Sequence, residues 1–254
     1  MKRIAVACLG VMSVAVGSAT GCRTPSPRNS ARWHESCSYI DSVPPITFNC
    51  DHGVLAGSYP DGVKTVPIEF DDVCAQLGHV CLCGAGGFRI AGKAVEALRH
   101  DDAPLERGEF ILISGRDHTV GDAIAFVLGC ARRADPAHNQ CFIDDSIVAP
   151  KREYHYYVAY PPAEAAVHVV YRKHLLVGQK EMDRLWAIES AFERESATLP
   201  PADRERYRQA MLTMVGDVLF DRVPGLITVE PVPYETFQAR LATLRRPNRA
   251  ERAG

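Results

Sequence analysis

Two short segments of the chain concentrate side chains that can bind a metal ion or take part in thiol chemistry. The donor side chains of these two segments are His79, Cys81, Cys83, Asp117, His118 and Asp122. Thiolates, imidazoles and carboxylates are the ligands from which proteins build transition-metal sites. Each segment contains glycine and leads into an apolar helical pattern, so we expect both groups of donors near the start of a helix.

The first segment places three donors within five residues. His79 and Cys81 are two positions apart, and such residues diverge on the surface of a helix but can converge on one ion in a loop or a first helical turn. Backbone N–H groups at a helix start would also lower the pKa of a nearby thiol. Cys83 is a further ligand or a redox partner of Cys81. The alternative is that both cysteines are small buried residues or disulfide partners, and that His79 is a hydrogen-bonded core histidine.

The second segment follows a predicted strand at residues 109–114 and opens a helix. Taken alone, His118 reads as a solvent-facing loop residue and Asp122 as a helix N-cap. Donors at a strand end beside a helix start are, however, a frequent location for a functional site. We therefore predict His79, Cys81 and His118 as metal ligands. Asp117 and Asp122 are the candidate catalytic residues, since a carboxylate can transfer protons beside a metal-bound water.

The N-terminus is typical of an exported lipoprotein. Residues 1–21 have a charged start, an apolar stretch and small residues before Cys22, which is the predicted lipidation site. Residues 22–64 read as a disordered tether and an extended arm. The lipid would make the membrane a partner, and Arg23 after the cysteine favours the outer over the inner membrane. The predicted location is therefore the cell envelope, with the folded part facing the periplasm.

The chain has nine cysteines, of which seven lie beyond the signal peptide and Cys22. An odd number implies that at least one thiol is free, bound to metal or joined to another molecule. Cys37 and Cys50 close a short loop and are the first candidates for a disulfide, since export implies an oxidising compartment. The net charge is −2 and no basic stripe is present, so nucleic acid is not an expected partner.

Hydrophobic periodicity predicts an α+β protein in which a mixed sheet is packed against helices. Residues 65–176 form the predicted core, with a hairpin of Tyr154–Tyr160 and Ala166–Arg172 around two prolines. Residues 177–254 form a helical C-terminal extension with a charged tail. Strands and helices do not alternate throughout as βαβ units, which favours the α+β class.

The order of these motifs resembles the FmdE family, named after a component of formylmethanofuran dehydrogenase. The family's first motif, His-Gly-His-x-Cys-Pro-Gly before a small-residue helix, corresponds to Leu-Gly-His-Val-Cys-Leu-Cys-Gly at 77–84. Its second motif corresponds to Asp-His-Thr-Val-Gly-Asp-Ala-Ile at 117–124, followed by Gly-Cys-Ala at 129–131. The resemblance extends from about Val66 to Tyr171. His118 stands where the family has a cysteine.

This resemblance implies an α+β core with a metal-binding or catalytic pocket lined by His79, Cys81, His118 and Asp122. Zinc is the favoured metal, because it accepts mixed Cys and His ligands without redox demands. The predicted function is metal or redox handling in the cell envelope. The alternatives are a metal-dependent enzyme of unknown substrate, a thiol-redox protein that uses Cys81 and Cys83, and a non-catalytic envelope interaction module. A homodimer is one expected assembly.

Overall fold

A computed structural model describes residues 33, 36–59, 62–117, 119–131, 138–194 and 200–245 of the protein. The predicted signal peptide, the predicted lipidation site Cys22, the predicted metal ligand His118 and the end of the charged tail lie outside the described residues. In the described part of the chain, no helix is both long enough and apolar enough to cross a membrane.

Helices and strands follow one another along the chain without a repeating order. The strands are β1 (Ile46–Asn49), β2 (Thr65–Ile68), β3 (Ile111–Ser114), β4 (Cys141–Ile143), β5 (Glu153–Tyr160), β6 (Ala165–Arg172) and β7 (Ile227–Val232). The helices are α1 (Asp51–Leu55), α2 (Phe70–Leu77), α3 (Leu82–Leu98), α4 (Val120–Leu128), α5 (Gln179–Arg194), α6 (Pro201–Leu219) and α7 (Tyr234–Arg245).

The main sheet has five strands in the order β4-β3-β5-β6-β7. Strands β3 and β4 are parallel, and the other neighbours are antiparallel, so the sheet is mixed. A separate antiparallel pair joins β1 to β2. The predicted α+β class with a mixed sheet and C-terminal helices is therefore confirmed.

The β5–β6 hairpin is the longest pairing of the sheet and matches the predicted hairpin. Its register runs from Glu153 opposite Arg172 to Tyr160 opposite Ala165. The turn contains Pro161–Ala163 and then Glu164, whose φ of 48° lies in the left-handed region. Two prolines suit this position because they donate no hydrogen bond to a strand ladder and preset a turn geometry.

Helix α3 is the centre of the packing and is buried on most of its surface. It contacts α4, α6 and β6, and its glycines and alanines let these neighbours approach closely. The C-terminal part of the chain does more than add helices, because β7 pairs with β6 as an edge strand of the main sheet. The sequence pattern does not predict this strand.

Candidate functional site

The starts of α3 and α4 lie side by side, so the two donor-rich segments meet at one end of the helix pair. The contact depends on Gly87 of α3. A Cβ atom at Gly87 would lie 2.5 Å from the Cβ atom of Ala123 and 2.8 Å from the carbonyl oxygen of Val120. One turn earlier, Cys83 and Val120 line the same small cavity of about 110 Å³. The first turns of α3 and α4 are thus adjacent in the fold.

Cys81 is the N-cap residue of α3 and has extended backbone geometry. Its sulfur accepts a hydrogen bond from the Gly84 N–H at 3.4 Å. A hydrogen bond from the Cys83 side chain and this backbone bond, acting against burial, lower the pKa of Cys81 to about 7. The cause is general, because donors at a helix start stabilise a thiolate over a thiol. Cys81 therefore loses its proton more readily than an ordinary thiol.

Tyrosine side chains surround the Cys81–Cys83 pair. Burial, followed by the charges of Cys83 and of other neighbours including Cys81, raises the pKa of Tyr171 well above its usual range. Its hydroxyl is buried and has no hydrogen-bond partner in the described part of the chain. Burial, followed by the charge of Cys83, also raises the pKa of Tyr154. These hydroxyls keep their protons, so each can donate a hydrogen bond to an anionic group.

His79 lies on an exposed turn two residues before Cys81. Its Nδ1 atom lies 3.0 Å from the carbonyl oxygen of Leu77. Since a carbonyl only accepts, this contact requires the proton on Nδ1 and leaves a lone pair on Nε2. A backbone carbonyl that orients the second ring nitrogen is a common feature of histidine ligands. Within the described residues, no group of three or more His, Cys, Asp or Glu side chains is arranged to hold a metal ion.

Asp117 is held at the start of α4 by three hydrogen bonds. Its carboxylate accepts from the Gly121 N–H at 3.0 Å and 3.3 Å and from the Tyr156 hydroxyl at 2.7 Å. Burial and the Asp117 charge raise the pKa of Tyr156 well above its usual range, so Tyr156 acts as a donor. This arrangement gives Asp117 a clear anchoring role, because a carboxylate near a helix start also interacts favourably with the helix dipole.

Asp117 and Asp122 share the wall of a second cavity of about 610 Å³. Asp122 lies in the first turn of α4 and is exposed. The same cavity is lined by Ser114, Cys130 and Cys141. The two candidate carboxylates are therefore brought to one cavity, whereas Cys83 lines the smaller cavity.

Several residues of this region were not identified from the sequence. The tyrosines of β5 look like ordinary strand formers packing in the core, and only their alternation hints that Tyr154 and Tyr156 share a face. Cys130 and Cys141 have no distinctive spacing. Their location beside the larger cavity follows from the parallel pairing of β3 with β4.

The predicted disulfide partners Cys37 and Cys50 are both free thiols in the structure. Cys37 is buried, and its sulfur interacts with Tyr39 and with Cys74 of α2. Cys50 is the N-cap residue of α1 and is half-buried. A bridge between Cys37 and Cys50 stays a prediction.

Comparison of the chain with known protein families, with curated proteins and with solved structures finds no match. The resemblance to the FmdE family accordingly rests on the motifs described above and stays a prediction. Function must therefore be inferred from the geometry of the site itself.

The two thiols at the start of α3 are of the donor type that a soft or borderline metal ion prefers, but two donors are fewer than such an ion usually takes. Two thiols are in contact, one of them with a lowered pKa, and a buried tyrosine hydroxyl without a partner lies beside them. These groups suit a negatively charged thiolate cluster. The described residues supply two candidate sulfur donors, and the predicted ligand His118 lies outside the described residues.

Proposed function

We propose that this protein is an exported envelope lipoprotein whose Cys81–Cys83 pair binds a transition metal, with zinc favoured. The observation that carries the proposal is the Cys81 thiol at the start of α3, whose pKa is lowered to about 7. Metals bind the thiolate, and a thiol with a lowered pKa gives up its proton to an incoming metal ion at a smaller free-energy cost. The role we infer is metal or redox handling.

The remaining ligands of the proposed site follow from the sequence and from ligand chemistry. Zinc in proteins usually takes four ligands in a tetrahedral arrangement. Cys83 is the second thiolate, and His118 is the expected imidazole ligand. His79 Nε2 retains a lone pair and can add a second imidazole. The Tyr171 hydroxyl would donate a hydrogen bond to a thiolate sulfur and so reduce the negative charge that the metal must balance.

A bound zinc ion would act as a Lewis acid or would lower the pKa of a coordinated water. The chain's own residues would then hold and orient what enters the site. Asp117 is fixed by Gly121 and Tyr156, and the exposed Asp122 carboxylate lines the same cavity, where it would face a molecule that enters. This arrangement supports the alternative of a metal-dependent enzyme, whose substrate the geometry does not define.

A second candidate function is thiol redox chemistry by the same two cysteines. The observation that favours it is the hydrogen bond between the Cys81 and Cys83 side chains, which places the two sulfurs in contact. The Cys81 thiolate would attack a disulfide of a partner, which forms a mixed disulfide and releases one partner thiol. Cys83 would then attack the Cys81 sulfur and release the second partner thiol. Cys81 and Cys83 would end as a disulfide, and the partner would leave as two thiols, which balances both electrons and protons.

Metal titration of the mature protein tests the main proposal. Protein prepared without a chelator and then stripped of metal is titrated with zinc against a chromophoric competitor, and about one equivalent should bind. Cys81→Ser and His118→Ala should each weaken the affinity for zinc at least tenfold. His118→Cys should retain or strengthen binding, and Cys50→Ser is the matched control that should change nothing.

The outcomes separate the two candidate functions. Wild-type protein that takes up no zinc, but whose Cys81 and Cys83 form a disulfide with mild oxidant, would replace the metal proposal with the redox one. Unchanged zinc affinity in both Cys81→Ser and His118→Ala would show that the metal site lies elsewhere.

Membrane attachment is tested separately from metal binding. The proposed lipid anchor is Cys22, which directly follows Gly21 at the end of the apolar N-terminal stretch. Wild-type protein in its host should sediment with membranes and resist a salt wash. The Cys22→Ala protein should be released, and continued full association of this variant with washed membranes would contradict a lipid anchor at Cys22.

A further inference from the structure

Hydrogen bonds join the two ends of the loop between α4 and β4. The Gln140 N–H donates to the carbonyl oxygen of Ala131 at 3.0 Å, and the Ala131 N–H donates to the Gln140 side-chain oxygen at 3.2 Å. Cys130 and Cys141 directly flank these two residues and lie within hydrogen-bond distance of each other. Disulfide formation needs such proximity, since the Cα atoms of bridged cysteines lie about 4.4–6.8 Å apart.

Both cysteines are held in place by their own backbone contacts. The Cys130 N–H donates to the carbonyl oxygen of Ala125 at 2.9 Å, which ties it to the end of α4. Cys141 begins β4 and lies opposite Leu112 of β3. The Cys130 thiol donates to the carbonyl oxygen of Phe110 at 3.4 Å. The side chains of Cys130 and Cys141 are also hydrogen-bonded to each other, which is the first cause of the raised pKa of Cys130.

We infer that Cys130 and Cys141 are a disulfide-forming pair that becomes oxidised when the protein meets a low-molecular-weight disulfide. In this reaction each thiol loses its proton, and a sulfur–sulfur bond forms between the two residues. The two electrons reduce the external disulfide to two thiols, which take up the protons. The Cys130 hydrogen bond to Phe110 is lost with the thiol proton.

Cys130 and Cys141 are not among the proposed metal ligands, but they share a cavity with the two candidate catalytic carboxylates. Cys130 and Cys141 line the cavity of about 610 Å³ that also contains Asp117 and Asp122, whereas Cys83 lines the smaller cavity at the start of α3. A bridge would tie the end of α4 to the edge strand β4 and would fix one wall of the larger cavity. Its oxidation state would thus control how rigidly that wall is held.

Peptide mapping of the full wild-type chain tests the inference directly. The protein is incubated with oxidised glutathione and then unfolded in urea that contains iodoacetamide, which blocks free thiols. It is digested with trypsin without reduction. Cleavage after the arginines at 132 and 133 places Cys130 in peptide 117–132 and Cys141 in peptide 134–151, and each peptide contains a single cysteine. We expect these two peptides to be cross-linked and to separate on reduction. Recovery of both peptides alkylated, or cross-linked to other cysteines, would overturn the inference.

Thermal unfolding supplies a second measurement. Closing a loop of this length should raise the Tm of the oxidised protein by roughly 5–10 °C relative to the reduced protein. The shift should persist in Cys50→Ser and disappear in Cys130→Ser and Cys141→Ser. A reductant-sensitive shift that survives in Cys130→Ser would place the bond elsewhere and overturn the assignment. The mapping result needs no variant, so it stands even where a substituted protein fails to fold.

Discussion

The two cysteine pairs of this protein have similar residues in opposite electrostatic settings. Cys81 and Cys83 stand at the N-terminal end of α3, where the Gly84 N–H donates to the Cys81 sulfur and the pKa falls to about 7. Cys130 follows the C-terminal end of α4, and its thiol donates to the carbonyl oxygen of Phe110. The hydrogen bond with Cys141 and burial raise the pKa of Cys130 well above its usual range.

The difference shows that the hydrogen-bond partners of a thiol decide what it can do. At the start of α3, hydrogen bonds from Cys83 and from the Gly84 N–H stabilise the Cys81 thiolate. At Cys130, the hydrogen bond with Cys141, burial and the accepting carbonyl oxygen of Phe110 favour the protonated thiol. The pair at α3 is therefore suited to bind a metal ion or to attack, whereas the pair at α4 is suited to a structural bridge. Sequence spacing alone does not distinguish these roles.

The largest expected effect is the difference in thiol reactivity between the pairs. In the reduced native protein at pH 7, Cys81 should react with iodoacetamide at least about 100-fold faster than Cys130, because the thiolate is the reactive form. Mass spectrometry of timed samples gives the rate at each site. The same reaction in unfolded protein is the control and should remove the difference. Equal native rates would contradict the electrostatic account.

Moving the two helices apart should break the site as a whole. Gly87→Ala places a Cβ atom within 3 Å of Ala123 and Val120, so we expect a loss of about 2–3 kcal/mol in the free energy of unfolding. Gly92→Ala is the matched control on the same helix. Its nearest neighbour would be the Ile46 side chain at 3.4 Å, and better helix propensity should offset that contact. Urea unfolding measures both, and a Gly87→Ala protein as stable as Gly92→Ala would refute the close approach.

Removing the Tyr156 hydroxyl should loosen Asp117 at the start of α4. Tyr156→Phe leaves a partly buried carboxylate with one donor fewer, which should cost about 1.5–2 kcal/mol of stability. Tyr157→Phe is the control, because that ring stacks on His168 and its contacts do not depend on the hydroxyl. Equal stabilities of the two variants in urea would mean that the Asp117 anchor contributes nothing.

The smallest expected effect is a pH dependence of stability that belongs to Cys81. Its pKa is lowered from 9.0 to about 7 in the folded protein. Between these values the unfolded chain holds a proton that the folded chain does not, so stability rises with pH. The rise between pH 7 and pH 8 should be about 1 kcal/mol relative to Cys81→Ser. Below pH 7 this contribution is lost. Parallel pH profiles of the two proteins would rule out the lowered pKa.

The elements with clear periodicity were predictable from the sequence. The β5–β6 hairpin and the three C-terminal helices have the expected alternation or helical spacing, and packing follows that pattern. Strand β7 was missed because it is a partly exposed edge strand containing Glu230 and Pro231, which strand patterns normally avoid. Strand β1 and helix α1 were missed because residues 31–64 are rich in turn-forming residues.

The candidate site was predictable only where its residues are close in sequence. Cys81 at a helix start follows from the glycines and the apolar pattern after it. The tyrosine hydroxyls around the thiol pair come from β5 and β6, so only the fold brings them to α3. The pairing of Cys130 with Cys141 depends on the contact between Ala131 and Gln140, which no spacing reveals. Long-range pairing of this kind is set by the whole core.

The central claim is that Cys81 and Cys83 are metal ligands, and X-ray absorption at the zinc edge tests it most directly. The spectrum is recorded on zinc-loaded wild-type protein and on Cys81→Ser, with Cys50→Ser as the control. We predict two sulfur ligands at about 2.3 Å in the wild type and in the control, and one sulfur ligand in Cys81→Ser. A zinc ion surrounded only by nitrogen and oxygen, or the same sulfur count in all three proteins, would contradict the account.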